Sequence, residues 1–410
     1  MATAAAPGTN RSYREVLRHR GVAGLLAGDL LAGAGTGMLL VAMPVQTLAI
    51  HGDVPRAVAI GLVAAAPFVL STVLASVIGL GRAGVFPRTL LIADCVLRAA
   101  TFTTLGVLAV TDRLTLPVLI GGLLVGSLFR LAGSSGRRLL ATSMAGDDGR
   151  FAVNGLLGLN TSVALYVVGP VLGGIVVASA GAGVALLADA AGALVLLAAV
   201  LVFVPRMRAD GDAVRRPPMG ESGWRILRRR PVAARLLVVV FFFNFFYMPI
   251  EVALPLYVRG SLDAGASALG LLWGALGAGA FVGAALVNQL RNLPQRHVLI
   301  AIVGLWALCP ITLAVTGDLT VAMIVFGLGG LVWAPFTPVA YSFVQSGLEP
   351  AEHQPVVTLW TTGATVAAPL GLLAGGPLVE LAGVTGGLVL SGVLTLLLVP
   401  IAAAAVLGRR

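Results

Sequence analysis

Apolar stretches of about 20 residues recur along almost the whole chain, and the sequence between them is too short and too sparsely charged to solvate a water-soluble core. They fall at about 22–50, 57–80, 89–110, 115–136, 153–178 and 182–204, and again at about 233–258, 266–290, 297–316, 319–345, 355–378 and 383–407. Of the 410 residues 58% are hydrophobic and only 11% charged, against about 25% charged in a soluble domain. Lipid is therefore the solvent. The expected fold is an all-α integral membrane protein with twelve transmembrane helices in two six-helix halves. The expected organisation is an N-terminal segment (1–21), a first half (22–204), a polar linker (205–232), a second half (233–407) and a short C-terminus (408–410). The ends of the first and seventh spans are alike, Val41-Ala42-Met43-Pro44-Val45 against Val252-Ala253-Leu254-Pro255-Leu256. Such likeness points to a parallel duplication.

All 27 basic residues are arginines, and their placement orients the chain. Arg11, Arg14, Arg18, Arg20, Arg82, Arg88, Arg137, Arg138, Arg150, Arg291, Arg296, Arg409 and Arg410 fall on one side, with nine more in or beside the linker, from Arg206 to Arg235. Arg56, Arg113 and Arg259 fall on the other. Positive residues mark the cytoplasmic side, so both termini are expected there, in a bacterial cytoplasmic membrane. One inside loop departs from this by being acidic, with Glu349, Glu352 and His353. The net charge of +10 belongs to these short loops, and no nucleic-acid partner is expected. The basic, amphipathic Trp224–Arg230 run is expected at the lipid interface. Cys95 and Cys309 both lie in apolar spans, which argues against a disulfide framework. The first apolar stretch lacks a small-residue cleavage site and reads as a retained helix.

Short motifs then occur in a definite order. The fifth span carries Gly169-Pro170-Val171-Leu172-Gly173-Gly174, preceded by Ala152-Val153-Asn154-Gly155-Leu156. The fourth carries Arg130-Leu131-Ala132-Gly133, the third Ala93-Asp94-Cys95-Val96-Leu97-Arg98 and the sixth Ala188-Asp189-Ala190. After the seventh come Leu254-Pro255-Leu256-Tyr257-Val258 and Ser267-Ala268-Leu269-Gly270. In this order the chain resembles the major facilitator superfamily over nearly its whole length, and within it the bacterial branch of drug, macrolide and siderophore (enterobactin) exporters. The resemblance implies the major facilitator fold and secondary active transport. It also marks Gly169, Pro170, Gly173 and Gly174 as the antiporter motif. The loop between the second and third spans departs from the pattern: in Gly79-Leu80-Gly81-Arg82-Ala83-Gly84-Val85-Phe86-Pro87-Arg88 the family's acidic residue is missing, which puts the usual inner gate in doubt and keeps a facilitator or importer open.

Charges at membrane depth persist mainly where they face a cavity, a partner or an ion path. Asp29, Asp94, Arg98 and Arg130 lie about 9–15 Å from the cytoplasmic end at 1.5 Å per residue. Asp94 and Arg98, four residues apart, are expected to pair within the third span. That leaves Asp29 and Arg130 to face each other, either as a switch that frees Arg130 for a substrate group or as a static buried pair. Glu251, about 12 Å from the outer end, has no basic residue of its own half at that depth. Such an acid exchanges a proton or hydrogen-bonds to a carbonyl loosened by Pro249 or Pro255. Asp29 and Glu251 are thus the proton-coupling candidates. Asp189 is assigned a structural role. Gly169, Gly173 and Gly174 are expected on one side of the fifth span. The pairs Gly33/Gly37, Gly270/Gly274 and Gly279/Gly283 are read as ordinary packing. Asn244, Tyr247 and Trp333, beside the run Phe241-Phe242-Phe243-Asn244-Phe245-Phe246-Tyr247, are the substrate-cavity candidates. An apolar, aromatic cavity with few polar anchors suits a drug-like or secondary-metabolite molecule.

There is no phosphate-binding loop, no metal-ligand cluster and no nucleophile–base constellation in the sequence. No catalytic residue and no cofactor is expected, and the proton gradient is the expected energy source. The expected function is proton-coupled efflux by alternating access, in a monomer whose partners are a small molecule, protons and the bilayer. A membrane-embedded enzyme and a non-transporting sensor are the readings from other classes.

Overall fold

The computed structural model describes residues 11–79, 86–205, 222–290 and 293–407. Most of the loop between the second and third spans lies outside the described residues, as do most of the linker and Arg82, Arg206, Arg208, Arg215, Arg216, Arg291, Arg409 and Arg410. No strand occurs among the described residues.

The first half runs through α1 (Arg20–Ile50), α2 (Arg56–Gly79), α3 (Pro87–Val110), α4 (Leu116–Gly126), α5 (Arg130–Asn160), α6 (Gly169–Ala180) and α7 (Ala182–Phe203). The second runs through α8 (Pro231–Gly260), α9 (Ala266–Leu290), α10 (Gln295–Val315), α11 (Leu319–Trp333), α12 (Phe336–Gln345), α13 (Pro350–Leu396) and α14 (Leu398–Leu407).

Ten segments among the described residues are long and apolar enough to cross a membrane. Two of them, Leu116–Ala180 and Ala351–Val406, are 65 and 56 residues long. A straight helix of the first length would reach about 98 Å, some three times the hydrocarbon thickness. Each is interrupted by a glycine in the left-handed region, Gly146 (φ 74°) and Gly383 (φ 74°), where a Cβ would be strained. The helix is broken at these two points, and the count by length and composition is ten where twelve was expected.

Between α5 and α6 the chain forms a π-helical segment, Thr161–Val168. Pro170 explains its place. It has no N–H to give the Tyr166 carbonyl four residues back, and a wider turn steps past the missing donor.

The surface is built for lipid. Val202 (73%), Phe151 (77%), Val315 (80%) and Leu381 (90%) stand exposed. Such a spread of bare apolar side chains would be a liability in water. The two halves are filled differently inside. Small residues and leucines, among them Leu25, Leu140, Leu186 and Ala193, fill the first. Rings fill the second: Phe243, Tyr257, Trp306 and Phe326 are fully buried, and Phe243 lies 4.1 Å from Phe336 between centroids.

The short helix Gly223–Arg229 packs against the bundle with its apolar side. Its Ile226 and Leu227 are buried against the bundle, Gly223 abuts the Pro355 carbonyl of α13, and Trp224, Arg225, Arg228 and Arg229 are exposed. The apolar face is therefore spent on protein. Beside it Arg230 donates to Glu352 (2.9 Å) and pairs with Glu349 (3.1 Å). The acidic residues Glu349 and Glu352 are thus the counter-charge to Arg229 and Arg230.

Candidate functional site

Glycines decide how closely the halves approach. A Cβ on Gly174 of α6 would lie 3.0 Å from the Ala266 carbonyl and Ser267 Cα of α9, and one on Gly270 would collide with the Pro170 carbonyl. On the second seam, a Cβ on Gly61 of α2 would lie 2.6 Å from the Leu372 carbonyl of α13, and one on Gly376 3.0 Å from Val58 Cα. At that seam Ala57 N–H donates across the halves to Glu380 (3.2 Å). Both seams lie toward the end of the bundle that carries Arg56, Arg113 and Arg259.

The motif glycines do not share one side. Gly169 and Gly173 face α1, at Gly37 and Met38, while Gly174 faces α9. Residues four apart share a helix face and the fifth turns away from it. Gly37 and Gly270, read above as ordinary packing, are partners in these close approaches, and Gly274 packs against Val171 of α6. Gly279 and Gly283 pack against α11 within their own half.

Between the halves lies a cavity of about 230 Å³. The first half supplies most of its wall, from α1 to α5 and the π segment, and the second supplies Glu251 of α8 and Trp273 of α9. Leu39, Leu40, Met43, Ile60, Phe68 and Phe102 make it apolar, and Asp94, Arg98, Arg130 and Glu251 place two acids and two arginines on it, beside Tyr166.

The ion pairs differ from those expected on spacing. Arg98 pairs not with Asp94 but with Asp189 of α7, and also donates to Thr36 of α1. Depth counted along separate helices leaves out both the length of an arginine side chain and the close packing of α1 on α7. A Cβ on Gly35 would lie 3.0 Å from Asp189 Cα, so Asp189 is carried in beside α3. Asp29 pairs not with Arg130 but with Arg137, and accepts from Asn160 Nδ2 at 3.2 Å. The reason is that α5 stays helical past residue 136, which holds Arg137 two turns further along the helix than Arg130. Arg130 instead lies 4.6 Å over the Phe68 ring, a favourable seat for a guanidinium. Its motif partner Gly133 leaves room for the Asp94 carboxyl, since a Cβ there would sit 2.8 Å from Asp94 Oδ2.

Two acids and one arginine are left on the cavity. Asp94 is nine-tenths buried, and its Oδ1 has no hydrogen-bond partner. Glu251 interacts with the Tyr247 side chain and lies within electrostatic reach of Arg130. Asp94 lies within reach of Arg130 as well. With Arg98 and Arg137 occupied by Asp189 and Asp29, Arg130 is the cavity arginine within electrostatic reach of both Asp94 and Glu251.

Three cavity candidates are placed elsewhere. Asn244 donates to the Val240 carbonyl of its own helix at 2.8 Å. Tyr247 is packed between Trp306 and Trp333, at 5.5 and 5.8 Å between centroids. None of Asn244, Tyr247 and Trp333 lines this cavity. Trp273 does, and sequence reasoning passed it over. Its place on the ninth helix, one residue before Gly274, was the available signal. No cluster of metal-ligating side chains occurs among the described residues.

A fold of two packed helical halves around a buried, charged cavity is the architecture of a carrier, and the comparisons agree. The model of the transmembrane secretion effector family, a branch of the major facilitator superfamily, matches residues 17–407. The chain belongs to this family. It is 26% identical over 379 residues to the multidrug efflux pump Tap of Mycolicibacterium fortuitum, covering 88% of this chain and 89% of that protein. To Tap of Mycobacterium tuberculosis (strain ATCC 25618 / H37Rv) it is 26% identical over 375 residues, covering 88% and 87%. Among solved structures, the nucleoside transporter NupG aligns with a TM-score of 0.72 at 12% identity, covering 94% of this chain and 97% of that one. A bacterial homologue of the human lysosomal transporter Spinster, inward-facing and unoccupied, aligns at 0.67 and 13%, covering 96% of each. At such identities these likenesses establish the fold. The protein is a multi-pass membrane transporter of the major facilitator superfamily.

Proposed function

We propose that this transporter exports a small amphipathic molecule from a bacterial cytoplasm in exchange for protons. It acts as a monomer with both termini inside and with no catalytic step or cofactor. Splitting the two long segments at Gly146 and Gly383 turns the ten apolar segments into twelve crossings, and the even count agrees with cytoplasmic termini. The end marked by Arg56, Arg113 and Arg259 is then the outer one. Its glycine seams hold the halves together there, as suits a state that receives substrate from the cytoplasm.

The observation that carries this reading is the charge around the cavity. Asp94 and Glu251 face one arginine not already paired, Arg130. Buried charges need partners, so two acids against one arginine leave the cavity's own groups one positive charge short. A proton or a substrate group can supply it, and each displaces the other. Such exclusive occupancy is the coupling rule of an exchanger. Asp29, held by Arg137 and Asn160, is poorly placed for this role, and Glu251 and Asp94 are the proton-coupling residues. The efflux pumps among the relatives support the direction.

The test is uptake into inverted vesicles across a panel of antibiotics and amphipathic metabolites, with and without a protonophore. Uptake that collapses with the protonophore in wild type and is absent in Glu251→Gln supports export by proton exchange. The absence of an acidic residue from 79–88 favours a facilitator as the second reading. Gradient-independent equilibration of a panel member would select it.

A further inference from the structure

Two polar atoms beside the cavity lack a partner, and they are of opposite kind. Asp94 Oδ1 is a buried acceptor and Trp273 Nε1 a buried donor; neither has a hydrogen-bond partner, and both residues line the cavity. Asp94 is 9% exposed and Trp273 4%. Buried polar groups are almost always satisfied, so each such atom needs an explanation. Packing does not supply one. Trp273 packs against Phe326 with the rings tilted at 59° and 5.7 Å between centroids, which does nothing for its N–H. Asp94 has Arg98 on its own helix, Arg130 and Arg137 on α5 and Asp189 on α7 around it. Arg98 and Arg137 are held by Asp189 and Asp29, and Arg130, over the Phe68 ring and in reach of Glu251 as well, gives Asp94 Oδ1 no hydrogen bond. The two residues also belong to different halves, Asp94 to α3 and Trp273 to α9.

We infer that Asp94 and Trp273 form a two-point substrate site. Asp94 takes a protonated amine, and Trp273 donates to an ether, carbonyl or hydroxyl oxygen carried at the other side of a compact apolar scaffold. A cavity of about 230 Å³ is below the roughly 300–1,000 Å³ of drug-sized sites, which sets the scaffold at one or two rings. A ligand held at both points ties the halves together. An amine without the oxygen, or an oxygen compound without the amine, engages one half and leaves the other atom unsatisfied. This assignment rests on the export reading only in taking the cavity as the substrate site.

The test is calorimetric binding to the purified full chain in lipid nanodiscs at neutral pH, with no gradient. Three probes are compared: 5-methoxytryptamine, its neutral N-acetyl derivative, and tryptamine, which lacks the methoxy oxygen. Wild type is expected to bind 5-methoxytryptamine about tenfold or more tighter than the acetylated compound, and severalfold tighter than tryptamine. Asp94→Asn should erase the first preference and keep the second. Trp273→Phe should do the reverse. Wild-type protein that binds all three alike, or none of them, overturns the site, and needs no variant to fold. Preferences that survive both substitutions overturn the residue assignment. Selective binding in nanodiscs without protonophore-sensitive uptake in vesicles would sink the export reading and leave this site standing.

Discussion

The two halves share a helix plan but divide the work. The first carries charge: Asp29 with Arg137, Arg98 with Asp189, and Arg130 over Phe68, all within that half. The second carries rings. Tyr247, Trp306 and Trp333 pack together, Phe243 on Phe336, Trp273 on Phe326, and Glu251 is its one acid on the cavity wall. A buried ion pair stays together only in one geometry, whereas stacked rings tolerate small slides. The lesson is that the first half positions charge and the second presents a single acid to it from a soft apolar wall. Function depends on the contact between two unlike surfaces.

That contrast can be broken by substitution. The largest expected effect is in the first half. Arg98→Ala leaves Asp189 buried and unpaired, which should cost about 3–5 kcal/mol, read as a drop in the thermal unfolding midpoint in detergent. An Arg98→Met, Asp189→Leu double substitution should recover most of it. A drop of the same size from Tyr247→Phe would erase the distinction, because that change keeps the ring and is expected to cost under about 1.5 kcal/mol. Next in size are the seams between the halves. Gly270→Val places atoms where the Pro170 carbonyl lies and should force α9 from α6. Maleimide labelling of a cysteine at Ile60, 2% exposed in this state, should rise severalfold in a chain whose Cys95 and Cys309 are replaced by alanine. Unchanged labelling would remove the seam from the gate. The smallest effect belongs to Glu380→Gln. Glu380 is exposed and accepts one N–H at the start of α2, where a negative charge favours the helix end by about 0.3–1 kcal/mol. The same Ile60 labelling should rise by less than about fivefold.

Much of this was legible in the sequence, and the failures have physical causes. Long apolar runs and the Arg bias gave the membrane fold and its two halves, because the bilayer permits few alternatives. The motif at Gly169-Pro170 marked the helix where the halves meet. The partner of each charge was not legible. Spacing along a helix predicted Asp94 with Arg98, yet Arg98 reaches to another helix because Gly35 lets α1 and α7 close up. Asp29 and Arg130 were matched by depth, and the continued helix at Arg137 broke the match. The aromatic stripe of α8 was read toward the cavity, but Tyr247 spends its ring on Trp306 and Trp333. Pairing across helices depends on where small residues permit close approach, which a single sequence does not order.

The central claim is that proton and substrate exclude each other around Arg130, Asp94 and Glu251. Proton release on binding tests it most directly, with the purified chain in weakly buffered detergent near neutral pH titrated with 5-methoxytryptamine at constant substrate protonation. The account predicts release of up to about one proton per ligand bound, by linkage between the two occupancies, and a marked fall in Glu251→Gln. Binding by wild type with no proton released would contradict it.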